Sequence, residues 1–133
     1  MGKIMDKLFW VVLIVLGLYM LYNKGIIFAN FESVSPKIAY DMIEKNDGNL
    51  TVLDVRTVDE FKKDGHLVDA KLIPLHELAK NLNMLDSNKT ILVYCRSGSR
   101  SVSASRLLSN SGFTAINMSG GMIDWKAEKL PIK

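Results

Sequence analysis

Residues 91–100 read ILVYCRSGSR, and this stretch decides how the chain folds. Its first four residues, 91–94, are an apolar run typical of a buried strand, and a segment with helical spacing follows the loop. Cys95, the only cysteine in the 133 residues, stands at the start of that loop. Backbone N–H groups, the positive end of the following helix and the cations of Arg96 and Arg100 all favour a thiolate there. We therefore expect a nucleophile or an anion site at Cys95.

Outward from this stretch, β-rich runs alternate with helical segments. The predicted strands cover residues 31–34, 50–55, 70–74, 91–94 and 113–118. The predicted helices cover residues 36–45, 57–63, 75–82 and 100–110, with a closing helix around Trp125. This alternation predicts an α/β fold, in which a central parallel sheet of about five strands has helices on both faces. Cys95 then lies at the carboxyl end of a central strand, where open α/β sheets place their sites.

Two of the predicted helices begin with a capping signal. Ser35 precedes Pro36, which is the pattern of an N-cap followed by a proline in the first turn. Thr57 is followed three residues later by Glu60, which is the pattern of a capping box. Both signals favour helices at the predicted positions.

Composition excludes several classes of function. A single cysteine excludes an intramolecular disulfide, a two-cysteine redox pair and a cysteine-based zinc cluster within one chain. The net charge is +3, but from residue 30 onward 14 basic residues face 13 acidic ones, interleaved and without a basic stripe. Nucleic-acid binding is therefore not expected. His66 and His76 are isolated, so we expect His66 to pack at a turn, His76 to be exposed, and no metal site.

The N-terminal segment differs from the rest of the chain. Residues 8–22 (LFWVVLIVLGLYMLY) are fifteen consecutive residues without a charge. A bilayer needs roughly 17 to 25 apolar residues, and residues 26–28 with a snorkelling Lys24 extend the usable length. We therefore expect residues 1–30 to be a membrane anchor and linker, with one transmembrane helix in the lipid bilayer. Residues 31–133 are expected to form one globular domain.

Two other interpretations of this segment stay open. A cleaved signal peptide shares the basic start and the apolar core, but its candidate cleavage site, residues 27–29, carries the bulky Ile27 where a small residue is preferred. A buried core helix is disfavoured because the segment has no polar face. Lys3 and Lys7 precede the span and Lys24 follows it, which favours a single-pass protein with its domain on the exported, periplasmic or extracellular, side. The cytoplasmic side is the alternative.

The loop itself suits several anions. A cysteine followed by small polar residues and an arginine can hold phosphate, arsenate or a sulfur species, since backbone N–H groups and a guanidinium bind each of them. Four residues separate Cys95 from Arg100. Cysteine phosphatases use a longer loop, in which the arginine would fall at the position of Ser101. The spacing therefore favours a smaller cradle than a phosphatase needs.

Motifs on both sides of the loop complete a pattern. The upstream residues are 53–56, Glu60, Phe61, 65–67, Ala70, Ile73 and Pro74. The downstream residues are Phe113, Gly120, Gly121 and Trp125. Taken in order with the Cys95 loop, these motifs resemble the rhodanese family of sulfurtransferases over residues 33–132. The chain departs from the family pattern at an additional Asp64 and at Asp69, where the family usually has glycine.

The resemblance implies a reaction in two halves. The Cys95 thiolate takes a sulfane sulfur from a small anionic donor such as thiosulfate, which gives a persulfide. The persulfide then passes the sulfur to a thiol, to a cyanide-like acceptor or to a protein acceptor. No cofactor and no metal are implied.

The resemblance also assigns roles to the residues around the cysteine. The implied substrate-binding loop consists of Arg96, Ser97, Gly98, Ser99 and Arg100. Its amides are expected to stabilise the anionic persulfide, while Arg96 and Arg100 hold the anionic donor or steady the loop. Asp54 and Arg56, at the end of a neighbouring strand, are expected to anchor loop residues from behind. Gly120, Gly121 and Trp125 are interpreted as elements that close the fold.

Two rival functions accompany this interpretation. In the first, the Cys95 persulfide is a non-catalytic sulfur carrier or sensor docked on a membrane partner. In the second, the protein is a cysteine phosphatase or an arsenate reductase. The short loop disfavours this second rival, as does the absence of another cysteine to resolve an arsenate-linked intermediate.

Overall fold

The computed structural model describes residues 2–133. Within that range the α-helices are α1 (Gly2–Asn23), α2 (Pro36–Glu44), α3 (Val58–Lys63), α4 (Leu75–Leu78), α5 (Ser99–Asn110) and α6 (Gly121–Ala127). The strands are β1 (Glu32–Val34), β2 (Leu50–Asp54), β3 (Lys71–Leu72), β4 (Thr90–Tyr94) and β5 (Thr114–Met118). A short 3₁₀ helix covers Leu82–Met84. The predicted alternation of strands and helices is confirmed.

The strands form one parallel sheet in the order β1-β5-β4-β2-β3, with β4 at its centre. Helices α4 and α5 pack on one face of the sheet, and α2 and α6 pack on the other. Residues 91–95 are completely buried between these layers. A strand covered on both faces reads as a continuous apolar run, which is why residues 91–94 lack alternation. The predicted α/β class is confirmed, and Cys95 directly follows the central strand.

Both predicted helix caps are present. The Ser35 hydroxyl accepts a hydrogen bond from the Ile38 N–H at 3.3 Å, at the start of α2. At the start of α3, the Glu60 N–H donates to the Thr57 hydroxyl at 3.2 Å, and the Thr57 N–H donates to the Glu60 carboxylate at 3.3 Å. This capping box holds the Glu60 carboxylate at the first turn of α3.

The region between β3 and β4 differs from the prediction. The helix predicted over residues 75–82 is wrong in its second half, because α4 ends at Leu78 and a turn follows. The Asn81 side-chain amide donates to the Glu77 carbonyl at 2.8 Å, so the side chain takes an acceptor that a continuing helix would use. The strand predicted over residues 70–74 is also shorter than expected, since only Lys71–Leu72 pairs with β2.

Helix α1 stands apart from the sheet, and none of its residues is buried. By length and composition it is long and apolar enough to cross a membrane. The last turn of α1 and the chain that follows it lie along α5. There the Arg106 guanidinium stacks 3.5 Å from the Tyr22 ring centroid and donates to the Ile27 carbonyl at 3.1 Å, and Asn30 donates to Asn110 at 2.8 Å.

Candidate active site

The loop after β4 wraps around one sulfur atom. The N–H groups of Gly98 and Ser101 donate to Cys95 Sγ at 3.1 and 3.4 Å, and the Ser101 hydroxyl lies 3.5 Å from the same atom. That hydroxyl also donates to the Gly98 carbonyl at 3.0 Å, which ties the loop to α5. Two N–H donors aimed at a buried sulfur stabilise negative charge on it. The site can therefore hold an anionic sulfur nucleophile.

Ser101 was not predicted as a site residue. It is completely buried, and it lies in the first turn of α5 rather than in the loop. The sequence carries one signal for it, since Ser101 and Ser105 are small polar residues at helical spacing on the face of α5 that packs on the sheet. A hydroxyl on a core-facing position needs a partner inside the protein, and the partner of the Ser101 hydroxyl is the Gly98 carbonyl of the loop.

The start of α6 holds the loop from the outside. The Met122 N–H donates to the Cys95 carbonyl at 2.9 Å, and the Ile123 N–H donates to the Arg96 carbonyl at 3.0 Å. A Cβ atom on Gly121 would lie 2.5 Å from both carbonyl oxygens, so only glycine fits there. With the carbonyl groups bound to α6, the loop is free to turn N–H groups toward the sulfur. The glycine pair thus supports the site as well as closing the fold.

Arg100 is bound to Glu60 of α3. Its guanidinium donates two hydrogen bonds to the carboxylate, at 2.7 and 2.8 Å, in the bidentate geometry typical of strong pairs. The hydrogen bonds from Arg100 lower the pKa of Glu60 to about 2, against the opposing effect of burial. Arg100 therefore steadies the loop. Arg96 is exposed, and within residues 2–133 it forms no ion pair.

Asp54 and Arg56 form a buried ion pair behind the loop. Arg56 Nη2 donates to Asp54 Oδ2 at 2.7 Å and to the Gly65 carbonyl at 2.7 Å, and Nη1 lies 3.3 Å from Asp64. Burial opposes the charge on Arg56, but the hydrogen bonds and charge of Asp54 leave its pKa raised. The pair binds the turn at Asp64 and Gly65, not the residues of the Cys95 loop. Asp54 is aligned with Tyr94 in the sheet, one residue before the cysteine.

Tyr94 connects this ion pair to the core. Its hydroxyl is buried and accepts a hydrogen bond from the Leu67 N–H at 3.1 Å. Burial, with the negative charge of Asp54, raises the pKa of Tyr94 far above its ordinary value, so the phenol stays neutral. The Arg56 guanidinium lies 5.6 Å from the Tyr94 ring centroid. The residue before Cys95 therefore packs against a buried ion pair, Asp54–Arg56, whose two charges neutralise each other.

Neither histidine hydrogen-bonds to Cys95 Sγ, whose partners within residues 2–133 are Gly98 and Ser101. The His66 ring stacks on Phe61 with centroids 3.9 Å apart, and its Nδ1 lies 2.9 Å from the Leu67 carbonyl oxygen. The His76 side chain is 75 % exposed. Within residues 2–133, no cluster of His, Cys, Asp and Glu side chains forms a candidate metal site.

Two cavities flank the loop. The first, of about 510 Å³, is lined by Lys24, Ile26, Ser97, Gly98, Ser99, Asn117, Ser119 and Gly120. The second, of about 300 Å³, is lined by Val55, Arg56, Thr57, Pro74, Leu75, His76 and Arg100. The first cavity is rich in hydroxyl groups, and the second is mainly apolar.

Residues 35–128 match the rhodanese-like domain family. The chain belongs to the rhodanese family. It is 30 % identical to a sulfurtransferase of Allochromatium vinosum over 102 residues, which are 76 % of this chain and 89 % of the relative. It is 37 % identical to a Bacillus subtilis (strain 168) protein whose name describes a sulfur carrier, over 68 % of this chain, but spans only 50 % of that protein.

Solved structures show the same rhodanese fold. A rhodanese-related protein from Thermoplasma volcanium has a TM-score of 0.71 and 30 % identity, over 77 % of this chain and 98 % of that one. A rhodanese-like domain protein from Staphylococcus aureus has a TM-score of 0.68 and 31 % identity, over 77 % and 99 % of the two chains. A protein from Lactobacillus plantarum, at 25 % identity and a TM-score of 0.65, covers 96 % of this chain.

The two departures from the rhodanese pattern fit the local structure. Asp64 pairs with Arg56 and accepts a hydrogen bond from Lys126 at 2.6 Å, which ties the turn to α6. Asp69 has a φ of +58°, the left-handed conformation that glycine adopts most easily and that aspartate tolerates. Neither residue contacts the sulfur.

We predict that Gly121→Ala disrupts the loop. The added Cβ would clash with the Cys95 and Arg96 carbonyl oxygens, so the free energy of unfolding should fall by about 2 kcal/mol or more. The amide resonances of Gly98 and Ser101 should shift as the cradle opens. Gly112→Ala is the matched control, because Gly112 also has a positive φ but a Cβ there would meet nothing within 4 Å. Equal effects of the two substitutions in urea denaturation would contradict this role.

We predict that Glu60→Gln destabilises the domain in a pH-dependent way. Glutamine keeps the capping box but loses the charge, which at neutral pH should cost about 1 kcal/mol for a partly exposed pair. Because folding lowers the pKa of Glu60 from 4.5 to about 2, the wild-type advantage exists above pH 4.5 and is lost as the pH falls toward 2. Glu44→Gln, at an exposed site, is the control. A difference between wild type and Glu60→Gln that stays constant over this range would disprove the assignment.

Proposed function

We propose that this protein is a sulfurtransferase that moves a sulfane sulfur from a donor such as thiosulfate to a nucleophilic acceptor through a Cys95 persulfide. The observation that carries the proposal is the pair of N–H donors, from Gly98 and Ser101, aimed at one buried sulfur. The rhodanese family membership and the relatives named as sulfurtransferases support it.

In the first half-reaction, the Cys95 thiolate attacks the outer sulfur of thiosulfate. A new S–S bond forms, the S–S bond of the donor breaks, and sulfite leaves with the electron pair. The terminal persulfide sulfur is an anion that needs donors. The first turn of α5 provides them, because the first N–H groups of a helix have no partner within the helix. We infer that residues 96–100 enclose this second sulfur.

In the second half-reaction, a thiolate, cyanide or a protein acceptor attacks the terminal sulfur. The persulfide bond breaks, and the Cys95 thiolate is restored. Each half exchanges one anion for another, so neither half requires a base to move a proton. Dividing the transfer in this way replaces one difficult step by two easier ones.

A second candidate function is a sulfur carrier that loads Cys95 without turning over. The similarity to a relative whose name describes a sulfur carrier favours it, although the chain spans half of that relative. The complete burial of Cys95 also favours it, since a stored persulfide is protected from solvent in such a site.

We also propose that α1 is a single-pass membrane anchor, with residues 1–30 as anchor and linker and residues 31–133 as the domain. Supporting this, residues 8–22 are uncharged and exposed in the structure, and apart from the stacking of Arg106 on Tyr22 their apolar side chains are left uncovered. Lys3 and Lys7 before the apolar run support a cytoplasmic N-terminus and a domain on the exported side.

We predict that Cys95→Ser abolishes thiocyanate formation from thiosulfate and cyanide. Wild type incubated with thiosulfate alone should gain the mass of one sulfur at Cys95. Ser101→Ala should reduce kcat/KM about tenfold, which corresponds to the loss of one hydrogen bond, while Ser105→Ala, one turn further along α5, should not. Loading without turnover would favour the carrier. Absence of loading would contradict both functions, and phosphate release from an aryl phosphate would favour a phosphatase.

We predict that protease added to intact spheroplasts cleaves the domain. The result follows from the excess of lysines before the apolar run, which retains the N-terminus in the cytoplasm. Lysed spheroplasts are the control for a cleavable domain. A domain that is cut only after lysis would place it in the cytoplasm, and a mature chain that lacks residues 1–29 by mass would show a cleaved signal peptide.

A further inference from the structure

The segment after α1 alternates between an inner and an outer side. Gly25 and Ile27 are half-buried, whereas Lys24, Ile26 and Phe28 are exposed. Ile26 is 65 % exposed and Phe28 is 84 % exposed, the largest exposed fraction of any large apolar side chain in the described part of the chain. A period of two with apolar residues on the outer side is the reverse of what a segment that faces water needs. The outer side of this segment therefore suits an apolar medium.

The backbone at Phe28 is strained. Its φ of +53° lies in the left-handed region, which a bulky side chain rarely adopts. Strain of this kind persists only where surrounding contacts fix it, and it is concentrated at functional positions. Here Arg106 of α5 supplies the contacts, because it stacks on Tyr22 and donates to the Ile27 carbonyl, the group that precedes Phe28. The domain thus holds the Phe28 ring outside its own core.

The length of α1 places this segment at the surface of a bilayer. The helix has 22 residues, which correspond to about 33 Å, close to the roughly 30 Å of a hydrocarbon core. Its uncharged part, residues 8–22, covers only about 22 Å. A stretch shorter than the core is accommodated by thinning of the bilayer and by the residues that flank it. With α1 as the anchor, Ile26 and Phe28 are the flanking apolar residues on the side of the domain.

Two cations beside the end of α1 match the charge of lipid headgroups. Lys24 is exposed, and the Arg106 guanidinium stacks on Tyr22 in the last turn of α1. Neither cation forms an ion pair within residues 2–133. Lysines and arginines next to a membrane span are attracted to anionic headgroups. Apolar and cationic side chains therefore occur together at the level where a bilayer presents acyl chains and phosphates.

The reactive loop lies on the same side of the domain. Lys24 and Ile26 line one cavity together with loop residues 97–99. Between them, a Cβ on Gly25 would lie 3.2 Å from Val102 in the first turn of α5, so the segment approaches the helix that begins at the loop. A bilayer surface that receives Ile26 therefore lies beside the loop.

We propose that Lys24, Ile26 and Phe28 form a membrane-docking surface, which enters the headgroup layer and holds the loop side of the domain against the bilayer. The proposal rests on α1 as a membrane anchor and goes beyond it, since a span alone does not require the domain to contact lipid. The partner is the lipid surface, with phosphates for Lys24 and the boundary of the acyl chains for Ile26 and Phe28. The Cys95 loop then operates at the level of the headgroups.

Spin labels test this docking, because Cys95 is the only cysteine and Cys95→Ser leaves a chain without one. In that background, full chains with Phe28→Cys or Met84→Cys carry one label each, in vesicles of phosphatidylcholine and phosphatidylglycerol. The label at 28 should collide more often with oxygen, which concentrates in lipid, than with a water-soluble nickel complex. Met84, which is 50 % exposed in the 3₁₀ helix before β4, is the matched control, and its label should show the reverse.

A lipid with a chelated nickel headgroup reports which side of the domain faces the bilayer. It should broaden the spectrum of a label at Ser97→Cys, in the loop, and leave the spectrum of the label at 84 unchanged. Adding Phe28→Asn should reduce the broadening at 97 to the level at 84, because asparagine tolerates the left-handed backbone but is too polar to enter lipid. Phe28→Trp should retain the broadening, since tryptophan suits the interface.

A label at Val15→Cys, within α1, separates docking from anchoring. Lipid exposure at 15 with water exposure at 28 would overturn the docking while the anchor stood, and water exposure at 15 would overturn both. Equal broadening at 97 and 84 would also overturn the docking. Mutual broadening between labels at 28 that dilution with unlabelled chain removes would assign the surface to a second copy of the protein, which contradicts the proposal.

Discussion

The structure depends on one constraint, which is that the loop after β4 must present N–H groups to a single atom. Backbone groups alternate along a chain, so a loop can turn its donors inward only if its carbonyl groups find partners elsewhere. The N–H groups of Met122 and Ile123 supply those partners for Cys95 and Arg96. The position of α6, near the end of the chain, therefore helps to determine how many N–H groups face Cys95 Sγ.

A second layer keeps this arrangement rigid. The buried Asp54–Arg56 pair would be costly if either charge lacked partners, but the guanidinium also binds the Gly65 carbonyl and the Asp64 carboxylate. The pair holds the end of β2 and the turn after α3 together. Glu60 lies on α3 and accepts hydrogen bonds from Arg100, the last residue of the Cys95 loop. Through α3, the ion pair is therefore connected indirectly to that loop. Arg100, which was expected to hold the donor or to steady the loop, is paired with Glu60 in this layer.

Much of this could be predicted because the signals are local. The apolar run at 91–94 follows from burial on two faces, and the Thr57–Glu60 capping box follows from spacing. The contributions of Ser101 and Gly121 could not be predicted, because each depends on a contact made only in the folded protein. The helix predicted over 75–82 failed because Asn81 bonds to the backbone, a competition that hydrophobic periodicity does not register.

The contact of Arg106 with Tyr22 and Ile27 also limits motion. A free tether made of residues 24–31 would let the domain wander by about 15 Å around the end of α1. Because Arg106 of α5 holds this segment through Tyr22 and Ile27, residues 24–31 cannot act as a flexible tether. With α1 as the proposed membrane anchor, the domain would stay at a constant height and tilt relative to the bilayer, and the loop would face only a thin layer of solvent. A protein partner anchored in the same membrane would meet the loop only within that layer, so its search would be confined to two dimensions, whereas a small dissolved donor would reach the loop freely.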